Sequence, residues 1–204
     1  MSHRTHAVRR GQPLRSEEFG TVGEFVRSVG RGNGPVALML TCWELGDIPD
    51  QISHVQPGDV LIVQNPAGVV PQWGQIDPGA ATASICYGLN LPTVRHLIVC
   101  GHRDCRMVPL LVGGRTVDRL TEYRRILTDV RDQLDGLDDR LGDRQRGRIA
   151  VEEVVLQQLR HLRTFPEVRR GVWEGKLRLH GWYYDDRTAR VYAYSPRSNQ
   201  FYVV

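Results

Sequence analysis

The chain has 204 residues, of which 41% are hydrophobic and 25% are charged, and its formal net charge is +4. This length and composition fit one globular domain, and they exclude a disulfide-stapled miniprotein, a collagen-like repeat and a disordered chain. Acidic residues are interspersed among the arginines, so the charge pattern does not favour a nucleic-acid partner.

The sequence contains no apolar run of the length that a membrane-spanning helix needs, and its arginine-rich N-terminus lacks the apolar centre of a secretory signal. We therefore expect a cytoplasmic protein with no membrane partner. In a reducing compartment, cysteines are more often free thiols or metal ligands than disulfides. The chain has four of them, Cys42, Cys86, Cys100 and Cys105.

The N-terminal region divides into an arm and a helix. Residues 1–15 are polar and rich in arginine, which predicts a flexible arm that embraces a partner subunit. Apolar residues then recur at helical spacing from Phe19 to Val29, and glycines end this pattern. We take residues 1–34 as the N-terminal arm and helix, and residues 35–204 as a single domain.

A continuous apolar run at residues 36–41 predicts a strand that is buried on both faces. Two further runs, at residues 59–64 and 96–100, also predict strands. Small and apolar residues at helical spacing over 79–91 suit a helix that crosses between parallel strands. The predicted fold is therefore α/β, with a mainly parallel central sheet flanked by helices. Ligands collect beyond the carboxyl ends of the strands in such sheets, where Cys42 and His102 stand.

The C-terminal half predicts further helices and a hairpin. Residues 115–148 are highly charged but keep an apolar stripe, which indicates an amphipathic surface helix, with a polar connection over 136–147. Residues 149–162 predict another helix. Polar and apolar residues alternate over 176–184 and 190–194, so these segments predict a hairpin that closes one edge of the sheet.

A candidate metal site follows from three of these residues. His102 and Cys105 are three residues apart at a strand-to-helix junction, and Cys42 ends an earlier strand. Thiolate and imidazole groups are zinc ligands, and a catalytic zinc site usually has three protein ligands and one open position. Spacing alone leaves other interpretations open: a helix-capping histidine, a small core residue at Cys105 and a buried strand thiol at Cys42.

Several stretches of the sequence resemble motifs of the β-class carbonic anhydrases. They are Cys42-Trp43-Glu44, Gln56-Pro57-Gly58-Asp59, Gln64-Asn65, Cys100-Gly101-His102-Arg103-Asp104-Cys105 and the closing segment Leu177 to Asp185. The family carries C-x-D-x-R, P-G-[DE], R-N and G-H-x-x-C in the same order. The resemblance covers residues 33–194 and implies that Cys42, His102 and Cys105 bind Zn²⁺. It also implies a homodimer or a tetramer of dimers.

The same alignment shows departures around the metal. Glu44 stands at the family's aspartate, which accepts a hydrogen bond from the zinc-bound hydroxide, and Gly46 stands at the arginine that pairs with it. Asn33 stands at a glutamine that donates to bound bicarbonate, and Gln64 at the arginine of R-N. We therefore expect Glu44 to be the catalytic residue and Asn33, Gly46 and Gln64 to lie on the substrate side.

Glu44 carries the sharpest expectation. Without an arginine at position 46, the carboxylate of Glu44 has no cationic partner except the metal. It should therefore coordinate the metal at its fourth position, or hydrogen-bond tightly there, and so lower the rate of carbon dioxide hydration. The double change Glu44→Asp with Gly46→Arg should then raise activity by at least about tenfold. Two alternatives remain. Glu44 could act as a general base for a bulkier substrate, or the site could be kept only for structure.

Trp43 would narrow the cleft if it points inward, and would otherwise be a core aromatic.

The predicted function is a zinc-dependent carbonic anhydrase-type lyase, which interconverts carbon dioxide and bicarbonate. The alternatives are a zinc hydrolase or hydratase of another small electrophile, such as carbonyl sulfide, carbon disulfide or a biosynthetic intermediate, and a non-catalytic zinc-binding homologue. The remaining histidines and cysteines predict no further site. We expect His54, His96 and His161 at the surface or in capping positions, His180 in a structural role, and Cys86 and Cys100 buried and inert.

Overall fold

The computed structural model describes residues 13–30, 34–46, 55–56, 58–75, 79–113, 120–137 and 140–204. The strands are β1 Ala37–Cys42, β2 Val60–Asn65, β3 His96–His102, β4 Arg178–Asp185, β5 Arg190–Ser195 and β6 Gln200–Val203. The α-helices are α1 Val22–Ser28, α2 Ala80–Leu89, α3 Met107–Val112, α4 Thr121–Ile126, α5 Thr128–Asp135, α6 Asp143–Leu162 and α7 Pro166–Trp173. The candidate residue Asn33 and the histidine His54 lie outside the described residues.

The strands form one sheet in the order β2-β1-β3-β4-β5-β6. Strands β1 to β4 are parallel, whereas β5 and β6 are antiparallel to their neighbours. This confirms the α/β prediction and the C-terminal hairpin. Strand β6 was not predicted, because its four residues are too few for a clear alternating pattern.

Strands β1 and β3 lie at the centre of the sheet, and β1 is buried along its whole length. Helix α6 packs across β3 and β4 at very short range. A Cβ atom at Gly101 would lie 2.5 Å from Cγ1 of Val151 and 2.9 Å from Cγ2 of Val155, so only glycine allows this approach. The close packing fixes β3 immediately before its last residue, His102.

The N-terminal segment packs on the same core. Thr21 caps α1 by accepting a hydrogen bond from the Glu24 backbone, and Phe25 of α1 is fully buried. Arg163 donates one hydrogen bond to the Pro13 carbonyl oxygen (3.0 Å) and another to Glu18 Oε1 (2.9 Å). Residues 13–15 of the expected arm therefore contact their own chain, and residues 1–12 lie outside the described residues.

The charged region departs from the prediction of one amphipathic helix over 115–148. Two short helices, α4 and α5, are separated at Leu127, whose φ of −97° and ψ of 13° interrupt the helical backbone. Helix α6 begins at Asp143 rather than at Ile149, so the predicted polar connection over 136–147 is partly helical. The buried residues of α6 begin at Ala150, so its first turns extend beyond the part that packs against the core.

Two histidines predicted at the surface are buried instead. His96 Nδ1 lies 2.9 Å from Nε2 of His180, and Nδ1 of His161 lies 2.8 Å from the carbonyl oxygen of Val70. The predictions failed because a polar side chain can be buried when its polar atoms find hydrogen-bond partners. His180, which we expected to be structural, is buried in the first of these pairs.

Candidate metal centre

Four side chains meet at the carboxyl edge of the sheet. They are Cys42, Glu44, His102 and Cys105, and one ligand atom from each lies within 4.8 Å of all the others. Cys42 ends β1 and His102 ends β3, and because these strands are adjacent and parallel, their last residues share one edge. Cys105 lies in the loop before α3, and Glu44 in a single helical turn after β1.

The backbone orients the imidazole of His102. Its Nδ1 lies 2.9 Å from the carbonyl oxygen of Arg103, which can only accept a hydrogen bond, so Nδ1 carries the proton and Nε2 keeps a lone pair. Nε2 is buried and has no hydrogen-bond partner among the described residues. A buried nitrogen acceptor without a donor is costly in a core, but it is what a metal ligand requires.

The two sulfur atoms are close together, and the Cys42 sulfur is stabilised as an anion. Cys105 Sγ lies 3.8 Å from Cys42 Sγ, and the hydrogen bond that the Cys105 thiol donates lowers the pKa of Cys42 to about 5. The same shared proton, together with burial, raises the pKa of Cys105. Backbone N–H groups of Glu44 and Ala67 bond to the Cys42 sulfur, and thiolates are the form of cysteine that binds metals.

The arrangement fits a tetrahedral metal ion. Two thiolates that each lie about 2.3 Å from a tetrahedral Zn²⁺ are about 3.8 Å apart, which is the observed separation of Cys42 Sγ and Cys105 Sγ. The buried Nε2 of His102, which has no hydrogen-bond partner among the described residues, could supply a third ligand atom. Two thiolates and one imidazole form a common donor set for zinc with an open fourth position.

Glu44 has a cationic partner, which overturns the premise that only the metal could neutralise it. The Arg106 Nε–H donates to Glu44 Oε1 and the Arg106 backbone N–H donates to Oε2, both at 2.8 Å. Burial alone would raise the pKa of Glu44, but these two donors and the guanidinium charge outweigh it, so the pKa is lowered. The sequence motif ended at Cys105, and nothing in the spacing indicated that the next side chain reaches back across the site.

Gly46 and Gln64 contact each other. The side-chain Nε2 of Gln64 donates to the carbonyl oxygen of Gly46 at 2.8 Å. Gly46 has a φ of 57° and a ψ of −132°, a conformation that residues with a Cβ rarely adopt. Among the described residues, apart from its chain neighbours, none has an atom within 4 Å of a Cβ built there, so an arginine at position 46 would be strained through its backbone rather than by a clash with them. The expected rescue by Gly46→Arg therefore has a structural obstacle.

The loop between His102 and Cys105, the two candidate ligands of the G-H-x-x-C motif, is fastened to strand β4. Arg103 Nη1 donates to Asp185 Oδ2 at 2.8 Å, and both side chains are largely buried. The backbone N–H of Arg103 also donates to the carbonyl oxygen of Tyr184 at 2.8 Å. The positions of His102 and Cys105 thus depend on a contact with the end of β4, which sequence spacing did not reveal.

Two cavities flank the cluster. One of about 770 Å³ has Cys105 and Arg106 on its wall, and another of about 540 Å³ is lined in part by Trp43, Gln64 and Asn65. Trp43 is 57% exposed, so it belongs to a cavity wall rather than to the core. The cavities give small molecules two approaches to this edge of the sheet.

The two other cysteines lie outside the cluster. Cys100 is buried within β3, and burial raises the pKa of its thiol to about 12, which agrees with an inert residue. Cys86 on α2 is only half-buried, contrary to the prediction, because α2 presents part of its surface to solvent.

A family model described as carbonic anhydrase matches residues 37–191 of this chain. The chain belongs to the carbonic anhydrase family. A carbonic anhydrase of Pseudomonas aeruginosa is 28% identical over 191 residues, which span 93% of this chain and 83% of the relative. Carbonic anhydrase 1 of Escherichia coli O157:H7 is 27% identical and is matched over 82% of this chain and 77% of its own length.

Solved structures confirm the β-class resemblance. The structure of the β-carbonic anhydrase CcaA aligns with a TM-score of 0.73 at 25% identity, over 89% of this chain and 90% of that chain. Tetrameric β-carbonic anhydrases of the ascomycete Sordaria macrospora align with a TM-score of 0.65 at 25% identity, over 84% and 86% of the two chains. Both family and fold therefore agree with the prediction from the sequence motifs.

Proposed function

We propose that this chain is a zinc-dependent carbonic anhydrase that catalyses the reversible hydration of carbon dioxide to bicarbonate. The observation that carries this proposal is the cluster of Cys42, His102 and Cys105, in which two sulfur atoms lie at the spacing of tetrahedral zinc ligands and a buried imidazole nitrogen lacks a partner. Membership of the carbonic anhydrase family supports the reaction.

In this proposal, Cys42, His102 and Cys105 would hold Zn²⁺, which would act as a Lewis acid and lower the pKa of a bound water. The carbonyl oxygen of Arg103 keeps the His102 tautomer that presents Nε2. Glu44 Oε2 lies 3.9 Å from His102 Nε2, so its carboxylate is placed to accept a hydrogen bond from the attacking water and to orient it. Glu44 is thus the proposed catalytic residue.

On the substrate side we propose Gln64 and the backbone of Gly46, together with Asn33. The amide nitrogen of Gln64 is already bonded to the Gly46 carbonyl, so this pair forms one element of the cavity wall. The neighbouring indole of Trp43 gives that wall an apolar surface, which suits an uncharged molecule such as carbon dioxide.

We propose a homodimer or a tetramer of dimers in the cytoplasm. The Sordaria macrospora relatives are described as tetrameric. Ile62 on the edge strand β2 and nearby Trp43 are both exposed apolar side chains that line the same cavity, and a partner subunit would remove them from water. Sedimentation at micromolar concentrations should give at least a dimer, and a monomer would contradict this.

Within the described residues, no helix combines the length and the apolarity needed to cross a bilayer.

The decisive experiment is a stopped-flow measurement of carbon dioxide hydration by the zinc-loaded protein. We expect a rate well above that of a matched Cys105→Ser variant, which lacks one proposed ligand. Equal rates for both proteins would reject the carbonic anhydrase assignment. Parallel assays of carbonyl sulfide and carbon disulfide hydrolysis then separate a zinc hydrolase from a non-catalytic zinc-binding homologue.

A further inference from the structure

Arg106 makes an unusual pair with Glu44. Its side chain is 87% exposed, whereas that of Glu44 is only 12% exposed, so a solvent-facing guanidinium covers a largely buried carboxylate. Both oxygens of Glu44 are bonded to this one residue, Oε1 to the side-chain Nε and Oε2 to the backbone N–H. A carboxylate that is bonded through both oxygens has little freedom to rotate.

The pair connects the two loops that carry the proposed ligands. Glu44 follows Cys42 at the end of β1, and Arg106 follows Cys105 at the start of α3. Position 46, where the resemblance places a cation, has no side chain, and its backbone conformation disfavours one. The charge that neutralises Glu44 therefore comes from the other loop.

The distances show what the pair does to Glu44. Two nitrogen or oxygen ligands of one tetrahedral zinc lie about 3.4 Å apart, given bonds of about 2.0–2.2 Å. Glu44 Oε2 is 3.9 Å from His102 Nε2, which is longer than this spacing, while the two sulfur atoms already have the separation of ligands. The carboxylate is thus held beside the cluster but outside the ligand spacing.

We propose that Arg106 is a positioning residue that holds Glu44 away from the metal and keeps the fourth coordination position open. This rests on the proposed metal site and replaces the expectation that Glu44 closes it. The guanidinium bond is exposed and can be lost to mutation or salt, whereas the backbone bond to Oε2 persists in any variant except proline. Loss of the side chain frees Oε1 to turn toward the metal.

The test measures access to the fourth position rather than turnover. Protein loaded with Co²⁺ is titrated with azide, an anion that displaces a coordinated water and changes the visible spectrum of the metal. We expect Arg106→Ala to bind azide about two- to fivefold more weakly than the wild type, the range for a largely exposed ion pair. Arg106→Lys should recover part of the loss, because it keeps the charge without the planar geometry.

Two further variants separate positioning from a merely structural effect. Adding Glu44→Gln to Arg106→Ala should restore azide binding, because an amide is a poor substitute for the carboxylate that would close the position. Arg169→Ala, which removes an exposed arginine of α7, should leave azide binding unchanged. Raising the salt concentration to about 1 M should move the wild type toward the Arg106→Ala behaviour, because salt screens exposed charges.

The outcomes test the positioning role of Arg106 separately from the proposed carbonic anhydrase activity. Equal azide affinity in the wild type and Arg106→Ala would overturn the role of Arg106, and so would a wild-type protein whose cobalt spectrum does not respond to azide. A wild type that binds azide and shows the Arg106 effect but does not hydrate carbon dioxide would support the positioning role while rejecting the carbonic anhydrase activity.

Discussion

Strand β3 begins and ends with a buried histidine, and the two ends differ in how the imidazole is satisfied. At the start, His96 Nδ1 lies 2.9 Å from His180 Nε2, and neither ring has a buried nitrogen without a partner among the described residues. At the end, His102 is bonded through Nδ1 only, and its buried Nε2 has no hydrogen-bond partner.

The surroundings of the two ends differ in the same way. The His96–His180 pair packs against the aromatic rings of Phe25 and Trp182, which exclude water and offer no ligand. His102 instead faces two cysteine sulfurs and a carboxylate. Burial of a histidine therefore does not identify a site, whereas an unpartnered nitrogen beside other ligand atoms does.

The largest expected effect comes from replacing a histidine at each place, His102 in the cluster and His180 of β4 in the pair with His96. His102→Gln should lower zinc affinity by more than about a hundredfold, because loss of a ligand costs more than loss of a residue that only supports one. His180→Gln should keep about one zinc ion per chain, since it removes no ligand. Competition with a chromogenic chelator measures both affinities. Wild-type affinity in His102→Gln would contradict the difference between the two ends.

A smaller effect on zinc affinity is expected where the loop between His102 and Cys105 contacts strand β4. Asp185→Asn should weaken zinc binding by about 10- to 100-fold, because Arg103 then loses the ion pair that fastens the loop between His102 and Cys105. Asp186→Asn removes the adjacent exposed charge and serves as the matched control. The same chelator competition applies. If the two variants bound zinc equally well, the Arg103 contact would have no part in holding the ligands.

The smallest effect concerns pH at the structural end of β3. Burial, with a contribution from His96, lowers the pKa of His180 to about 3, so the unfolded chain binds a proton below pH 6.5 that the folded chain excludes. Stability should therefore fall as pH decreases through this window. In the presence of a chelator, His180→Gln should reduce the slope by up to about 1.4 kcal/mol per pH unit, measured by urea unfolding between about pH 7 and 5. An unchanged slope would mean that His180 is protonated in the folded state.

The sequence by itself determined the parallel sheet, because strands buried on both faces appear as continuous apolar runs, as at Ala37–Cys42. It also determined which residues end those strands. The resemblance of the C-x-E and G-H-x-x-C stretches to β-carbonic anhydrase motifs, rather than their spacing alone, predicted the cluster of Cys42, His102 and Cys105. The apolar runs and each single motif are local, since each depends on residue types a few positions apart in the chain.

Only the tertiary structure decided what surrounds that cluster. Arg106 reaches Glu44 across 62 positions of sequence, and Asp185 reaches Arg103 across 82. The burial of His96 likewise depends on distant segments, since its ring contacts His180 and Phe25. Hydrogen bonds and ion pairs between distant segments depend on the final distance and direction of single atoms, and no periodicity or spacing in one sequence encodes either quantity.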